Sequence, residues 1–447
     1  MGPLPAPGAM AEQPSLVRAI GRWSLVALVL NTIIGTGVFI LPGTVGGMLG
    51  WAGVWAWVLA ALFTAAMIVC FAEVASRFTG AGGAYLYTHA AFGHYVGILM
   101  AWMSYFVRCI TAAVQANLFV TYLTELWPAA ATRPAEIAVT TVFIGAHAAV
   151  NIRSVGSGAG VSNVFAAIKA GSLILFGAVG LAWLGSGQGV PAVLGSDGSL
   201  GAWLQALLLL MFAYGGFESA LIPLAEAKDP RTDAPFALLA GLVLVTVVYL
   251  AAQVTVLATL PDPDVNNRPL AESARVMLGA GGAVVITVAA LISVYGWVAS
   301  NMLNVPRLTM AMAERGDLPA FFGRIHPTFR TPVISILIFA GISWALALQA
   351  GLLSNLSLSA VSRLLLYGSV CLALPVFRAR ERRGVNPPEV GEARFRIAGG
   401  PIFAAIGVGI AVVLSTRMNM REVLSMAGLV VLATAHWWYL RSRSTQG

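Results

Sequence analysis

The sequence predicts an all-α integral membrane protein with about twelve transmembrane helices. Of its 447 residues, 58% are hydrophobic and only 10% are charged, whereas a soluble globular protein carries roughly 25% charged residues. The mean hydropathy is +0.84. The same composition excludes an intrinsically disordered chain. The bilayer is therefore the predicted solvent of this protein.

Apolar stretches that are long enough, or nearly so, to cross a bilayer recur along the whole chain. Each is predicted to be a helix, because an irregular backbone is not tolerated against lipid. The first six are predicted at residues 25–41, 54–74, 97–123, 134–152, 161–183 and 200–224. The other six are predicted at residues 235–260, 282–305, 333–350, 352–375, 397–414 and 423–439.

The basic residues predict how these helices are oriented. If the N-terminus lies in the cytoplasm, 18 basic residues fall on the inner side, 5 fall on the outer side and 3 fall within spans. An excess of basic residues marks the cytoplasmic side. We therefore expect a multi-pass protein of the cell (inner) membrane with both termini cytoplasmic, in tails at residues 1–22 and 441–447. The basic residues form no stripe interleaved with aromatic residues, so nucleic acid is not a predicted partner.

The cysteines and acidic residues predict no cofactor, metal centre or enzyme active site. Cys70, Cys109 and Cys371 all lie inside apolar runs, which excludes a disulfide framework and a cysteine metal cluster. No span contains a metal-ligand cluster, a catalytic Ser-His motif or an acidic dyad. Catalysis is therefore not predicted.

Two of the predicted helices carry a pair of glycines at mid-depth, Gly35 with Gly37 and Gly215 with Gly216. Close helix packing through small residues explains either pair alone. The two pairs, however, lie in the first helix of each of two successive sets of five helices. Interruptions at matching positions are typical of transporters with inverted repeats. Local unwinding would expose N–H groups that suit a carboxylate and carbonyl groups that suit an ammonium. The predicted ligand is therefore a zwitterionic amino acid.

Short stretches along nearly the whole chain carry a family resemblance. They are Gly35-Thr-Gly-Val-Phe39, Glu73-Val-Ala-Ser-Arg77, Gly82-Gly-Ala-Tyr85, Ala91-Phe-Gly93, Asn151-Ile-Arg153, Glu226-Ala-Lys-Asp-Pro-Arg231, Arg307 and Ala313-Glu-Arg-Gly-Asp-Leu-Pro319. Taken in order, these stretches resemble the amino acid–polyamine–organocation transporter superfamily. The resemblance implies a five-plus-five inverted repeat (LeuT-type) fold, with repeats at residues 23–185 and 200–376 and two additional helices at residues 397–440. It also implies alternating access to one central site.

The resemblance also implies where the substrate binds. The backbone of residues 35–37 would take the substrate carboxylate, and the backbone near residues 212–214 would take its α-amino group. Phe212 matches an aromatic gate, while Gly215 and Gly216 give the unwound turn. The predicted substrate-binding residues are Ile34, Gly35, Thr36, Gly37, Tyr105, Ile110, Phe212, Ala213, Tyr214, Gly215, Gly216 and Asn301.

Lys169 is an ionisable residue within the fifth span, which makes it a functional candidate. The alternative is that its side chain snorkels to the inner surface. The resemblance implies that a lysine here points toward helices one and eight, where sodium-coupled relatives bind their second sodium ion. We therefore predict sodium-independent transport, in which Lys169 is either a proton-coupled switch or a permanent replacement for the ion.

Four further charged residues lie within or near the ends of spans. Glu218 is interpreted either as a proton carrier or as a structural acid that binds backbone N–H groups or an arginine. Glu73 is interpreted as structural. Arg108 and Arg363 are expected to pair inside the bundle, because an unpaired buried charge is costly. If Arg108 instead faces the cavity, it would favour neutral or anionic substrates over cationic ones.

The predicted function is secondary transport of amino acids, either as a proton-coupled symporter or as an exchanger. A polyamine or organic-cation transporter of the same fold is the alternative, although Glu218 is the only central acidic residue available to bind a cation. A non-transporting amino acid sensor is a further alternative. The sequence leaves the oligomeric state open.

Overall fold

The structure, a computed structural model, is all-helical in the part of the chain that it describes. That part comprises residues 21–78, 83–153, 158–189, 198–226, 228–265, 267–314, 318–387 and 390–444. No strand occurs among these residues. The predicted N-terminal tail lies almost entirely outside the described residues. So do parts of three family stretches, at residues 82, 227 and 315–317, and the last three residues of the C-terminal tail.

Fourteen α-helices are present in the described residues. The first seven are α1 (Arg22–Ile33), α2 (Gly37–Leu49), α3 (Gly53–Ala75), α4 (Gly83–Phe92), α5 (His94–Leu126), α6 (Arg133–Arg153) and α7 (Gly158–Gly185). The remaining seven are α8 (Leu200–Ala213), α9 (Pro230–Thr259), α10 (Pro269–Glu314), α11 (Val333–Gln349), α12 (Leu352–Arg383), α13 (Gly400–Ser415) and α14 (Met420–Ser444). A 3₁₀ helix, Phe217–Glu226, follows α8.

These helices account for all twelve predicted spans and confirm a multi-pass helical membrane protein. Nine helical stretches of the described residues are long and apolar enough to cross a membrane, and α1, α11 and α13 are shorter apolar helices. The first span consists of α1 with α2, and the sixth consists of α8 with the 3₁₀ helix. The others are α3, α5, α6, α7, α9, α10, α11, α12, α13 and α14 in order.

The ends of two helices differ from the predicted ones because polar residues continue the helix after the apolar pattern has stopped. The tenth span was predicted to end at residue 375, but α12 runs on to Arg383. Its last turn is basic and Gly384 closes it in the left-handed conformation, both of which stabilise a helix C-terminus. The last helix likewise continues to Ser444, into the predicted tail. The range of α10 begins at Pro269, but Gly279 within it has a non-helical backbone (φ +70°, ψ −166°), so two helices meet there across a kink and the second begins close to the predicted residue 282.

The packing of the spans agrees with two related sets of five helices. The third span packs on the tenth, and the eighth packs on the fifth. The first span packs on the seventh, and the sixth packs on the second. If spans one to five are exchanged with spans six to ten in order, the first contact of each of these two comparisons becomes the second. This correspondence supports the inverted repeat, while its predicted boundaries at 23–185 and 200–376 stay a prediction.

Glu73 anchors a buried ionic network at one end of the bundle. Its carboxylate accepts hydrogen bonds from Arg378 at 2.7 and 2.5 Å and from the Ile397 backbone N–H at 3.0 Å. Arg77, which is fully buried, lies 3.6 Å from Glu73 and 2.9 Å from Glu381. The network joins α3 to α12 and to the segment before α13. These contacts are those of a structural acid, as the sequence indicated for Glu73.

Helix α2 closes the opposite end of the bundle against the segment between α9 and α10. A Cβ atom on Gly43 would lie 2.4 Å from the Pro263 carbonyl oxygen, and one on Gly46 would lie 2.9 Å from the Pro263 ring. A Cβ atom on Gly47 would lie 2.4 Å from the carboxylate carbon of Asp264. Only glycine permits so close an approach at these three positions. The second half of the first span is therefore covered in this conformation.

Candidate functional site

Both helices with glycine pairs are interrupted where the sequence predicted. Helix α1 ends at Ile33 and α2 begins at Gly37, and the residues between them form a bend. Helix α8 ends at Ala213, and three residues in turn conformation precede the 3₁₀ helix. The predicted unwinding at both positions is thus confirmed. We call residues 34–36 the first break and residues 214–216 the second break.

The two breaks face one another, because glycine lets the backbones approach closely. A Cβ atom on Gly37 would lie 2.8 Å from the Ala213 Cβ. Gly216 has φ +109°, which side chains rarely adopt, and a Cβ atom there would lie 2.4 Å from the Thr32 carbonyl oxygen. Glycine at 216 is therefore required both by its conformation and by its neighbour across the gap.

Tyr249 of α9 joins the two broken helices through one hydroxyl group. This group donates to the carbonyl oxygens of Ile33 and Ala213, each 3.1 Å away. Ile33 and Ala213 are the last residues of α1 and α8, where carbonyl groups lack partners within the helix. Tyr249 was not predicted from the sequence; the available signal was a tyrosine inside an apolar run, since a buried hydroxyl usually has a partner.

The first break presents hydrogen-bond donors that have no partner in the described part of the chain. They are the backbone N–H groups of Thr36 and Gly37 and the buried Thr36 hydroxyl. These groups stand at the start of α2, where the helix dipole favours negative charge. The geometry fits a bound carboxylate, and carboxylate binding at residues 35–37 stays a prediction.

The second break presents fewer free acceptors than expected. The Phe212 carbonyl accepts from the Gly215 N–H at 3.1 Å, and the Ala213 carbonyl accepts from Tyr249. Among the described residues, no donor approaches the Tyr214 carbonyl. The Tyr214 hydroxyl points away to the Trp57 carbonyl, 3.2 Å distant. Tyr214 thus offers its backbone to this site, while its side chain packs into the core.

Lys169 points into the bundle and does not snorkel. The residue is 4% exposed, and its ammonium donates to the Asn31 carbonyl at 2.8 Å and to the Asn31 side-chain oxygen at 2.9 Å. Asn31 lies in the last turn of α1, where carbonyl groups and the helix dipole favour a cation. The ammonium therefore occupies the kind of position at which a half-helix end binds a metal cation.

Glu218 connects the second break to α12. Its carboxylate lies 3.1 Å from the Arg363 guanidinium and accepts the Tyr367 hydroxyl at 2.5 Å. It also accepts the Gly216 N–H at 3.0 Å. The expected pairing of Arg363 inside the bundle is confirmed, with Glu218 as its acidic partner. These contacts match the structural interpretation of Glu218, and its alternative role as a proton carrier stays a prediction.

Arg363 also reaches the predicted gate and α5. Its guanidinium lies 5.7 Å from the centre of the Phe212 ring, within cation–π distance, and donates to the Thr111 hydroxyl at 3.1 Å. A Cβ atom on Gly215 would lie 2.8 Å from the Arg363 side chain. Arg363 is therefore packed directly against the second break.

Within the described part of the chain, Arg108 lacks the acidic partner that was expected for it. Among the described residues its hydrogen bond is to the Asn301 side-chain oxygen, at 3.4 Å, and no carboxylate lies within ion-pair distance. The structure thus brings Asn301 of α10, a predicted lining residue, next to α5. The expectation of pairing by charge is wrong for Arg108, because the one central acid is already bound to Arg363.

Comparison with known proteins identifies the family to which this arrangement of helices belongs. A family model described as amino acid permease matches residues 20–438. The chain belongs to the amino acid permease family. It is therefore a membrane transporter, and we refer to it below as the permease.

The relatives of the permease are transporters that match along most of their length. A methylthioribose transporter of Bacillus subtilis (strain 168) is 26% identical over 429 residues, covering 91% of this chain and 90% of the relative. A serine/threonine exchanger of the same organism is 28% identical over 394 residues, covering 83% and 85%. An uncharacterized transporter of Mycobacterium tuberculosis is 30% identical over 389 residues, covering 80% of both chains.

The predicted α5 residues, Tyr105 and Ile110, do not lie beside the first break of the permease; another residue of α5 does. Tyr105 packs instead toward α11 and the segment after α10, with ring centroids 6.3 Å from Phe339 and 6.5 Å from Phe322. Ile110 is fully buried in the core. The amide nitrogen of Gln115 lies 3.9 Å from the position of a Cβ atom on Gly35. Gln115 was not predicted from the sequence; the available signal was a polar residue within an apolar span.

The described residues of the permease contain no group of three His, Cys, Asp or Glu side chains that could hold a metal ion. The polar groups at the two breaks are backbone N–H and carbonyl groups, with the Glu218 carboxylate and nearby amide, hydroxyl and guanidinium side chains. Such a set binds and orients a small polar molecule by hydrogen bonds and charge.

Proposed function

We propose that the permease carries amino acids across the cell membrane by alternating access, independently of sodium, and is driven by proton coupling or by exchange. Both termini lie in the cytoplasm in this proposal. The five-helix units at residues 23–185 and 200–376 rearrange around the substrate between the two breaks. The main support for the proposal is the set of N–H groups at the start of α2, which lie opposite the second break and have no hydrogen-bond partner in the described chain.

The chemistry of the first break favours an amino acid over an uncharged substrate. Thr36 and Gly37 together present two backbone N–H groups and one hydroxyl without partners in the described chain. A carboxylate satisfies such donors and gains from the helix dipole. One relative is named for serine and threonine, which carry a carboxylate. Another is named for methylthioribose, an uncharged sugar thioether that would leave the anion site without an anion.

The position of Lys169 supports sodium-independent transport. Its ammonium already binds the Asn31 carbonyl and side-chain oxygens. These oxygen atoms are the type of ligand that a sodium ion requires at the end of a half-helix. A sodium ion and the ammonium would repel each other at this distance. A fixed or proton-dependent charge on Lys169 therefore replaces the ion.

Counterflow in liposomes tests the proposal. Purified permease is reconstituted with an internal load of each unlabelled amino acid, and uptake of the same labelled compound is measured in sodium and in potassium buffer. Each measurement is repeated with and without a pH gradient, and methylthioribose and putrescine complete the panel. We expect counterflow of at least one amino acid at the same rate in both buffers. Counterflow of methylthioribose or putrescine alone would contradict the proposal, as would a requirement for sodium.

The two lysines of the chain provide a matched pair of variants. Lys169→Ala removes the ammonium at α1, and we expect uptake to fall about tenfold or more, since one charged hydrogen-bonding group contributes roughly 1.5–3 kcal/mol. Lys228→Ala removes an exposed lysine outside the bundle and is expected to stay within about twofold of wild type. Equal uptake and an equal pH profile for both variants would show that Lys169 has no role in coupling.

Polyamine transport is disfavoured by the charges inside the bundle. A polyamine needs free carboxylates in the cavity, but Glu218 is bound to Arg363 and Glu73 is bound to Arg378. Arg108 and Lys169 add positive charge to the interior. A non-transporting sensor remains the alternative from the sequence, and the counterflow measurement separates it from a transporter, because a sensor would bind amino acids without exchanging them.

A further inference from the structure

Positive charge exceeds negative charge at the centre of the bundle. Arg363 is neutralised by Glu218. Lys169 has no carboxylate partner among the described residues, but it binds two oxygen atoms of Asn31 at the negative end of α1. Arg108 has neither a carboxylate nor a helix end, and its described hydrogen bond is to a neutral amide. Arg108 is therefore the central cation whose charge is not compensated within the described chain.

The guanidinium of Arg108 keeps most of its binding capacity. An arginine side chain has five N–H donors in a planar fork that matches a carboxylate. One of them reaches the Asn301 oxygen, at a long distance of 3.4 Å. Arg108 is partly exposed within the described chain, so its remaining donors are open to a ligand, and an anion would satisfy them with charge-assisted hydrogen bonds. The free donors thus favour an anionic ligand beside Arg108.

The face of α5 that carries Arg108 passes both breaks. Arg108, Thr111 and Gln115 follow at i, i+3 and i+7, so they lie on one side of the helix. The Gln115 amide lies beside Gly35 of the first break, and the Thr111 hydroxyl binds Arg363, which packs against the second break. Arg108 comes about 10 Å before Gln115 along the axis, at 1.5 Å per residue.

Arg108 also belongs to the electrostatic environment of the second break. Thr111, about one turn after Arg108 on α5, accepts a hydrogen bond from Arg363, which packs against this break. Because Glu218 is already bound to Arg363 and Tyr367, it does not close an ion pair with Arg108. Among the described residues, the Arg108 guanidinium therefore remains available to a carboxylate of a ligand.

We propose that the permease selects amino acids with a second carboxylate, and that Arg108 binds this side-chain carboxylate while the first break binds the α-carboxylate. The inference rests on the proposed transport of amino acids and specifies the substrate class. The acidic side chain of the substrate and the Arg108 side chain extend toward each other. Together they span the distance along α5 between the first break and Arg108. Asn301 acts as a positioning residue that holds the guanidinium in place.

Counterflow with the wild-type permease gives the first test. Glutamate and aspartate are compared with serine, leucine and arginine at equal concentration, and glutamate binding is measured in parallel by the thermal unfolding of purified permease. We expect acidic substrates to be favoured over neutral ones by about tenfold or more, since a charge-assisted bidentate pair contributes roughly 1.5–3 kcal/mol. Arginine is expected to be the poorest substrate, because Arg108 repels it.

Two variants test Arg108 itself. Arg108→Gln removes the charge and retains an amide that can bind Asn301, and we expect the ratio of acidic to neutral transport to fall about tenfold. Arg108→Lys retains the charge without the fork and is expected to give an intermediate ratio. Glutamate is expected to raise the unfolding temperature of the wild type more than that of either variant, which separates binding from folding.

The outcomes distinguish the inference from the function on which it rests. Transport of neutral amino acids with no preference for glutamate overturns the inference and leaves the proposed function intact. So does an acidic preference that persists unchanged in Arg108→Gln. Absence of counterflow for every amino acid in the panel overturns both. If Arg108→Gln does not fold, the wild-type preference and the Arg108→Lys ratio decide between these results.

Discussion

Substitution of Tyr249 by phenylalanine tests whether one hydroxyl group holds the two breaks together. The fully buried ring packs edge-on against Trp57, with centroids 5.1 Å apart, and phenylalanine preserves this packing. The variant loses the bond to Ile33 and Ala213, each 3.1 Å from the hydroxyl. Two buried carbonyls are left without that donor, at a cost of about 1–3 kcal/mol.

A loss of about 1–3 kcal/mol corresponds to a change of about 5- to 150-fold in an equilibrium constant. We therefore expect the half-saturating substrate concentration of Tyr249→Phe to rise at least about fivefold in liposome uptake, since the breaks no longer hold one geometry. Tyr95→Phe is the matched control. Its hydroxyl lies 3.0 Å from Thr434 on the exposed side of the bundle, so a change below about twofold is expected. Equal values for both variants would refute the bridging role of Tyr249.

Two further substitutions test the second break, each with its own control. Gly216→Ala introduces a Cβ atom 2.4 Å from the Thr32 carbonyl oxygen at φ +109°, and we expect this variant to lose uptake. The control is Gly171→Ala, whose added Cβ atom meets open space in α7. This control variant is expected to transport normally. Wild-type uptake by Gly216→Ala would disprove the close approach. Glu218→Gln leaves the buried Arg363 charge unpaired and is expected to destabilise the permease by roughly 3–5 kcal/mol. Replacing Glu218 and Arg363 together by leucine is expected to cost less, and a larger loss in the double variant would contradict the ion-pair argument.

The sequence was sufficient to predict the helices and their interruptions, because both depend on local composition. Apolar runs predicted all twelve spans. The glycine pairs predicted both breaks, since glycine weakens a helix wherever it occurs in the interior. The ends of the spans were less predictable. Charged residues in the last turns of α12 continue that helix after the apolar pattern has stopped, whereas a kink at Gly279 separates the first turns of α10 from the predicted span.

The contacts that position the site were not predictable, because they join residues far apart in the chain. Glu218 and Arg363 are separated by 145 positions, and Glu218 and Tyr367 by 149. Composition indicated only that such charges need partners. It did not show that Glu218 would take Arg363 and leave Arg108 with an amide. That choice follows from which helices face one another, which is a property of the packed fold.

The bonds around the breaks are few, and their number fits a protein that must change conformation. Tyr249 ties both broken helices to α9, Lys169 ties α1 to α7, and Glu218 ties the second break to α12. Each neutral hydrogen bond contributes about 0.5–1.5 kcal/mol and each charged one about 1.5–3 kcal/mol.

Releasing α1 from this arrangement breaks the bonds to Tyr249 and Lys169, but it leaves the Glu218 ion pair intact, because Glu218 and Arg363 lie on the far side of the gap. The cost is then a few kcal/mol, which is the range in which a protein populates two conformations to a measurable extent. A full ion pair across the gap would fix α1 in one position. The placement of the ion pair on one side of the break therefore permits α1 to move while α8 and α12 stay joined.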